Sequence, residues 1–406
     1  MSHESSLIST IAVGLAFAFV GGFIAVRLRL PLLVGYLLAG IAVGPFTPGF
    51  VADVHLAPQL AEIGVILLMF GVGLHFSVRD LWAVRAIAVP GAILQIVVAT
   101  ALGIGASALW GWSLGAGLVF GLALSVASTV VLLRALETRG MLSARNGRIA
   151  VGWLIVEDLV MVLTLVLLPA LADVLGGHAP EGDVVSGDIL GSLALTIGKV
   201  IVFVALMLIG GTRFFPWLLK QVEKTGVREL FTLAVVAIGL GIAYGSALLF
   251  GVSFALGAFF AGIVINESDL SHRAVHDLQS LQDAFGVLFF VAVGMLFDPS
   301  ILIREPLRVV IVLAIVMVGK SLAAYAIVRA LRYDHSTALL VSGALAQIGE
   351  FSFILAGLGL SLDLLPAEGQ NLILAGALLS ITLNPLAFGL TARLAQRGET
   401  VPTPVK

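Results

Sequence analysis

Hydrophobic residues in this chain occur in long runs that are separated by charged residues or by Gly/Pro clusters. About 20 apolar residues are enough for a helix to cross the hydrocarbon core of a bilayer. The pattern therefore predicts an all-α membrane protein with thirteen transmembrane helices, the second and ninth of them short. The predicted spans lie near residues 7–26, 31–45, 58–76, 86–110, 113–136, 147–171, 190–212, 229–249, 251–266, 279–297, 306–329, 335–360 and 369–391.

Basic residues predict the orientation of these spans. With the N-terminus outside, nearly all of the 22 Lys and Arg residues fall in inside loops, and the outside loops hold only Arg304 and Arg308. Lys and Arg are enriched in cytoplasmic loops, and a missed or extra span would scramble the alternation. The sequence thus predicts an N-out/C-in, multi-pass protein of the cell (inner) membrane.

Composition agrees with a membrane class and excludes several others. Hydrophobic residues make up 60% of the chain and charged residues 11%, against about 25% charged in soluble domains. The absence of cysteine removes disulfides and thiolate chemistry. The chain has no GxGxxG, Walker A or HExxH pattern. We therefore predict a lipid bilayer as partner, no nucleic acid and no cofactor.

Two adjacent acids, Glu157 and Asp158, lie near the middle of the span at 147–171. A charge at that depth costs several kcal/mol, so such residues usually face a polar cavity or a partner. Neighbours on a helix point about 100° apart. One acid can therefore face an ion pathway while the other faces a countercharge. The alternative is a carboxyl that is neutralised by protonation or by a static ion pair.

Two further spans are interrupted at mid-depth by small or polar residues. These residues are Ser125, Ser128 and Thr129 in the fifth span and Gln347, Gly349 and Glu350 in the twelfth. The fifth and twelfth spans are seven apart, so they cross the membrane in opposite directions. This order predicts an inverted repeat of spans 1–6 and 8–13 with two discontinuous helices. Secondary transporters bind substrate where such helices meet, although Ser and Thr can also simply bond back to a carbonyl.

Lys320 lies near mid-depth of the eleventh span, where an unpaired ammonium is costly. It is predicted to pair with Glu157 or Asp158, and the residue pattern leaves the partner open. The pair is either purely structural or competes with cation and proton binding. Asn384-Pro385 in the last span is interpreted as a proline kink with a local amide bond, rather than as a ligand.

Five motifs in order resemble the Kef-type branch of monovalent cation:proton antiporters, in the CPA2 superfamily. The match extends over essentially the whole chain, and its motifs are LAEIGVILLMFGVGLHF (60–76), LSVASTVVLLRAL (124–136), LIVEDLVMV (154–162), LFFVAVGMLFDP (288–299) and LAQIGEFSFIL (345–355).

The resemblance implies a sodium/proton-antiporter-like fold and a homodimer. It implies a core domain of spans 4–6 (86–171) and 11–13 (306–391), and a dimerisation domain of spans 1–3 (7–76) and 8–10 (229–297). Span 7 at 190–212 would connect the two halves, and 1–406 would form one membrane transporter domain. The implied activity is potassium efflux in exchange for protons.

The same resemblance implies roles for single residues. Asp158 matches the aspartate that carries the cation or proton, and Glu157 takes the preceding place. Lys320 matches the lysine that electrogenic relatives use to bridge that preceding acid. Gln347 and Glu350 match the broken-helix motif of the Kef group.

Two features depart from the family pattern. His75 stands where many relatives have Glu, which puts a role for that position in doubt. Relatives also commonly continue into a cytoplasmic nucleotide-binding regulatory domain. This chain stops after the last predicted helix, so we expect a membrane domain, with any regulatory domain or ancillary subunit lying outside it.

The resulting hypothesis is competition at Asp158, with Ser128, Thr129 and broken-helix carbonyls supplying further oxygens. Burial disfavours the charged form of a carboxyl, so Asp158 would bind either a proton or a monovalent cation. The alternatives are a Na⁺/H⁺ antiporter of the same fold and a K⁺ channel-like conductance with loose proton coupling. An intramembrane aspartyl enzyme would need a second mid-membrane Asp, which the spans do not offer. Residue types do not decide K⁺ against Na⁺ or the stoichiometry.

Overall fold

A computed structural model describes residues 3–48, 56–75, 78–142, 144–178 and 189–399. All regular secondary structure within these ranges is helical, as the sequence predicted. Ten described helical segments are long and apolar enough to cross a membrane, and three of them run across a break or a π-helical turn: Leu114–Glu137, Ile197–Glu223 and Pro306–Ala330. Three shorter apolar helices lie at Leu32–Val43, Phe254–Asn266 and Glu350–Ser361. The count of thirteen spans and the N-out/C-in orientation remain predictions.

Helices form because a helix satisfies its own backbone hydrogen bonds, which lipid cannot do. The first nine helices are α1 (His3–Arg27), α2 (Leu32–Val43), α3 (Ala57–His75), α4 (Val78–Leu109), α5 (Leu114–Ser125), α6 (Thr129–Glu137), α7 (Arg145–Leu171), α8 (Ile189–Leu206) and α9 (Thr212–Glu223). A π-helical turn, Met207–Gly211, joins α8 to α9.

The remaining nine helices are α10 (Arg228–Phe250), α11 (Phe254–Asn266), α12 (Ser271–Met295), α13 (Ile301–Arg304), α14 (Pro306–Ala314), α15 (Lys320–Ala330), α16 (His335–Ala344), α17 (Glu350–Ser361) and α18 (Ala367–Glu399). A second π-helical turn, Ile315–Gly319, joins α14 to α15. Helix α18 continues through Pro385.

One set of helices comprises α1–α3 and α10–α12. Helix α1 packs on α2, α2 on α12, and α3 on both α11 and α12. The closest approach of α3 to α11 is at Gly73 and Gly262, where an added Cβ on either residue would overlap backbone of the other helix. Small residues at such contacts let membrane helices approach closely.

A second set comprises α4–α7 and α14–α18. Helix α4 packs on α5, α7 and α15, while α18 packs on α14, α16 and α17. A buried apolar cluster that includes Trp153 and Phe388 joins α7 to α18 within this set. Both interrupted helices belong here: α5 ends at Ser125 before α6 begins, and α16 ends at Ala344 before α17 begins.

A polar contact links the loop after α12 to the start of α18. The Asp298 backbone N–H donates to the Asn371 side chain at 2.9 Å. The Asp298 carboxylate accepts hydrogen bonds from the Ser300 backbone N–H at 3.0 Å, from its hydroxyl at 2.6 Å, and from Arg304. Burial raises the pKa of Asp298, but the bonds from Ser300 and the Arg304 charge lower it more. The net result is a pKa below the usual value.

Candidate functional site

The two interrupted helices cross at their breaks, with backbone against backbone. Gly349, which precedes α17, lies against Ser128, which precedes α6, and a Cβ on Gly349 would overlap the Ser128 backbone. The Gln347 side chain accepts from the Ser128 backbone N–H at 2.9 Å and donates to its carbonyl at 3.2 Å. One side chain thus satisfies the Ser128 N–H, which the break in the helix leaves free, and adds a second bond to the Ser128 carbonyl, which also accepts from the Leu132 N–H at 3.1 Å.

The start of α6 is capped and presents its N-terminal end to Asp158. The Ser128 hydroxyl accepts from the Val131 N–H at 3.3 Å, a typical N-cap bond. The Thr129 hydroxyl donates to Asp158 Oδ2 at 3.0 Å. Asp158 is 3% exposed, and its Oδ1 has no hydrogen-bond partner among the described residues. The partial positive charge of a helix N-terminus favours a carboxylate in this position.

Glu157 reaches the same break from the neighbouring position on α7. Its Oε2 accepts from the Ala127 backbone N–H at 2.9 Å, and the residue is fully buried. Its Oε1 has no hydrogen-bond partner within the described ranges. The adjacent acids therefore contact different groups, as their angular separation on the helix predicts.

Lys320 contacts the second break rather than an acid. Its Nζ donates to the Gln347 backbone carbonyl at 2.8 Å, and the residue is fully buried. The direct pair with Glu157 or Asp158 that the sequence predicted is not formed among the described ion pairs, although Lys320 and Glu157 interact electrostatically. The reason is geometric: the unwound residues after α16 offer a closer acceptor, at the end of a helix whose carbonyls attract cations.

Glu350 opens α17 beside the same crossing. It is 1% exposed, and neither carboxyl oxygen has a hydrogen-bond partner among the residues described. It lies close enough to Asp158 for the two carboxyls to interact electrostatically. Within the described ranges, the four charged residues that are buried are Glu157, Asp158, Lys320 and Glu350. All four therefore gather at this crossing.

Several polar residues at the site had not been singled out as site residues from the sequence. Gln95 on α4 donates to the Ser125 carbonyl at 2.9 Å, and Trp153 donates to Gln95 Oε1 at 3.4 Å. Ser352 donates to the Ala123 carbonyl at 2.5 Å. A lone amide in an apolar span, such as Gln95, was the available signal.

The hydrogen bond of Asn384 corrects the interpretation of Asn384-Pro385 as a kink with a local amide bond. Its Nδ2 donates to the Gly343 carbonyl of α16 at 3.1 Å, so the amide bond is made to another helix and is not local. The residue is 1% exposed, and its Oδ1 lacks a hydrogen-bond partner in the described part of the chain. The bond ties α18 to the C-terminal end of α16.

A cavity of about 810 Å³ leads to the crossing from between the two helix sets. Thr129, Glu350 and Asn384 line it, and so do Arg134 and Arg139, farther along the chain from Thr129. Arg134 lies on α6 about 7.5 Å of helix rise beyond Thr129, and Arg139 follows the end of that helix at Glu137. The other wall comes from α2, α3 and α12, including Tyr36 and Gln282.

The nine residues selected from the sequence meet at this crossing, from Ser125 at the end of α5 to Glu350 at the start of α17. His75 is the last residue of α3, and its side chain lies outside the described residues. The arrangement can hold a small cation or a proton on buried carboxylates, and helix ends stabilise the charges on both sides.

Crossed half-helices with a buried carboxyl at their ends define a class, the membrane-embedded cation/proton antiporters. A family model described as "Sodium/hydrogen exchanger, transmembrane" matches residues 15–393. The chain belongs to this family, which confirms the family resemblance predicted from its motifs.

Named relatives and a solved structure are consistent with this assignment. The chain is 61% identical to "Putative cation/proton antiporter YbaL" of Escherichia coli (strain K12), over 99% of this chain and 71% of that protein. It is 34% identical to "K(+) efflux antiporter 4" of Arabidopsis thaliana, over 97% of this chain and 65% of that protein. The sodium proton antiporter MjNhaP1 from Methanocaldococcus jannaschii shares the fold, with a TM-score of 0.69 at 17% identity, covering 96% of this chain and 98% of that one.

Proposed function

We propose that this protein exchanges potassium for protons across the membrane, and that Asp158 binds the two ions in competition. One observation carries the proposal: Asp158 is buried at the crossing, one oxygen bonds to Thr129, and the other has no partner among the described residues. A buried carboxylate is costly unless a charge or hydrogen bonds compensate it. A bound cation or a bound proton each removes that cost, so the two compete.

Further oxygens for the cation would come from groups beside Asp158. The Thr129 hydroxyl keeps its lone pairs when it donates to Asp158. The carbonyls of residues 126 and 127 lie outside regular helix and would complete a set of hard oxygen donors. Ser128 and Gln347 hold this backbone in place. Neither a resident metal nor a cofactor takes part in the exchange.

Alternating access would come from movement of one helix set against the other. We assign α4–α7 and α14–α18 to the core domain and α1–α3 and α10–α12 to the dimerisation domain. The packing of each set on itself and the cavity between them support this division. The basic residues along that cavity, Arg134 and Arg139, match the inside end in the predicted N-out/C-in orientation.

Potassium is the proposed cation because relatives at 34% identity are named K⁺ efflux antiporters. Sodium is the alternative and is decided by the same assay. Association as a homodimer in the inner membrane belongs to the proposal as well. Cross-linking of two copies in native membranes tests it.

The test is cation-driven proton flux in proteoliposomes that carry a pH-sensitive dye. KCl or NaCl added outside should move protons, and acidification should raise the KM for the cation because protons compete for Asp158. Asp158→Asn should reduce exchange to the rate of empty liposomes. Asp269→Asn is the matched control, since Asp269 is an exposed, ion-paired loop acid. Normal pH-dependent exchange by Asp158→Asn would refute the assignment.

The two alternative functions, a potassium channel and a sodium/proton antiporter, would give different results in the same proteoliposomes. A channel would pass potassium down its gradient without moving protons and would show single-channel currents in planar bilayers. Exchange that is driven by sodium but not by potassium would retain the mechanism and change the substrate.

A further inference from the structure

The lining of the cavity carries oxygen atoms that the competition at Asp158 does not use. Both carboxyl oxygens of Glu350 and the Oδ1 of Asn384 are without hydrogen-bond partners among the described residues. Both residues are 1% exposed, and both line the cavity. Asp158 does not line it, while Thr129, which bonds to Asp158, does.

These oxygens have the chemistry of a monovalent-cation site. Carboxylate and amide oxygens are hard ligands, which suit hard cations. The orientation of the Asn384 amide follows from its bond to the Gly343 carbonyl, because only the NH₂ group can donate it. The Oδ1 atom is therefore left to accept a ligand, as Glu350 is.

The position of Glu350 lowers the cost of a negative charge, although burial disfavours that charge and a bound cation would have to balance it. It is the first residue of α17, and α6 begins at the adjacent Thr129, so two helix N-termini stabilise a negative charge there. In contrast to Glu157, whose Oε2 is bonded to the Ala127 N–H, both Glu350 oxygens lack a protein hydrogen bond within the ranges described.

We propose that Glu350 and the Asn384 side-chain carbonyl form a first cation subsite on the cavity floor, which the cation occupies before it passes Thr129 to Asp158. This inference rests on the proposed exchange and adds a second carboxylate ligand, one that faces the access cavity. Glu350 selects and concentrates the cation, and Asp158 couples it to the proton.

The decisive variant is Glu350→Gln, which keeps the shape of the side chain and removes its charge. Loss of one charged ligand from a buried site should raise the KM for potassium roughly 10- to 100-fold. The maximal rate should change less than the KM does. Glu62→Gln, an exposed acid on α3 outside the cavity lining, is the matched control and should leave the KM unchanged.

A double variant that relocates the carboxylate distinguishes cation binding from a structural role of Glu350. Glu350→Gln combined with Asn384→Asp moves the carboxylate across the proposed subsite and should restore part of the lost affinity. If Glu350 only supports the fold, the double variant will be worse than either single one. If Glu350→Gln yields too little folded protein, Glu350→Asp retains the charge. It should keep the affinity within a few-fold while changing the preference among lithium, sodium and potassium.

A measurement of cation binding in the absence of transport tests the subsite separately from the proposed exchange. In detergent, KCl should raise the melting temperature of the wild-type protein above that in choline chloride of equal ionic strength, because a ligand stabilises the state it binds. Glu350→Gln should reduce this shift. An unchanged shift and KM would overturn the subsite. Absence of cation-driven proton flux in the wild type would instead overturn the exchange.

Discussion

Substitution of Gln347 has the effect that can be predicted most quantitatively, because this single side chain joins the breaks in the two interrupted helices. Its amide accepts from the Ser128 N–H at 2.9 Å and donates to the Ser128 carbonyl at 3.2 Å, in a buried environment. Gln347→Met has similar length and volume but makes neither bond. The substitution therefore tests the hydrogen bonds with little change in packing.

The expected loss of folding free energy follows from the backbone group that loses its hydrogen-bond partner. A buried backbone donor or acceptor without a partner costs about 1–3 kcal/mol. After the substitution the Ser128 N–H has no partner, whereas the Ser128 carbonyl keeps its bond from the Leu132 N–H at 3.1 Å, so the destabilisation is about 1–3 kcal/mol. Since Ser128 caps α6 and precedes the Thr129 that bonds to Asp158, the geometry of the ion site should loosen as well.

The assay combines thermal unfolding in detergent with exchange in proteoliposomes. Gln347→Met should lower the melting temperature by about 1–4 °C and reduce the exchange rate. Gln221→Met is the control, because Gln221 is exposed on α9, away from the crossing. A melting temperature and an exchange rate equal to those of Gln221→Met would refute the view that this amide holds the breaks together.

Two further predictions follow. Gly349→Ala should abolish exchange and reduce folded yield because its Cβ would overlap Ser128. Gly357→Ala, within α17, places its Cβ more than 4 Å from described atoms beyond its own helix backbone and should fold and transport normally. Equal behaviour of the two variants would contradict the close crossing. Asp298→Ala should lower the melting temperature at pH 7, because the pKa of Asp298 is lower in the folded state than its usual value. The contribution of Asp298 to stability is therefore present above about pH 4 and is lost as the pH falls through the pKa of the folded state. The difference in melting temperature between Asp298→Ala and wild type should stay constant from pH 7 to about pH 4 and shrink at lower pH. Asp269→Asn provides the exposed comparison, and a difference that does not shrink below about pH 4 would contradict the reasoning.

Much of the site could be predicted from the sequence because charge in a hydrophobic span is rare and costly. Glu157, Asp158 and Lys320 stand out from their apolar neighbours without any coordinates. The polar interruptions that contain Thr129 and Glu350 indicated the broken helices for the same reason, since lipid tolerates irregular backbone only where protein or a cavity surrounds it.

Hydrogen-bond partners were less predictable, because they depend on distances between residues that are far apart in the chain. Lys320 donates to the Gln347 carbonyl rather than pairing directly with an acid. Asn384 bonds to Gly343 across 41 residues rather than locally. Charge complementarity predicts that a buried ammonium needs an acceptor, but it does not say that a free helix-end carbonyl lies nearer than a carboxylate.

The sequence alone therefore determined the all-helical membrane class, the family and the set of residues that bear buried charge. Hydropathy and the desolvation of charge act on each segment separately, so a linear pattern records them. Only the tertiary structure decided that Gly349 lies against Ser128 and that Gln347 bonds to both backbone groups of Ser128. It also decided that Glu350 and Asn384 line a cavity, with both Glu350 oxygens and Asn384 Oδ1 lacking hydrogen-bond partners among the described residues. Those features depend on which helices cross and at what depth, and packing of the whole chain sets that geometry.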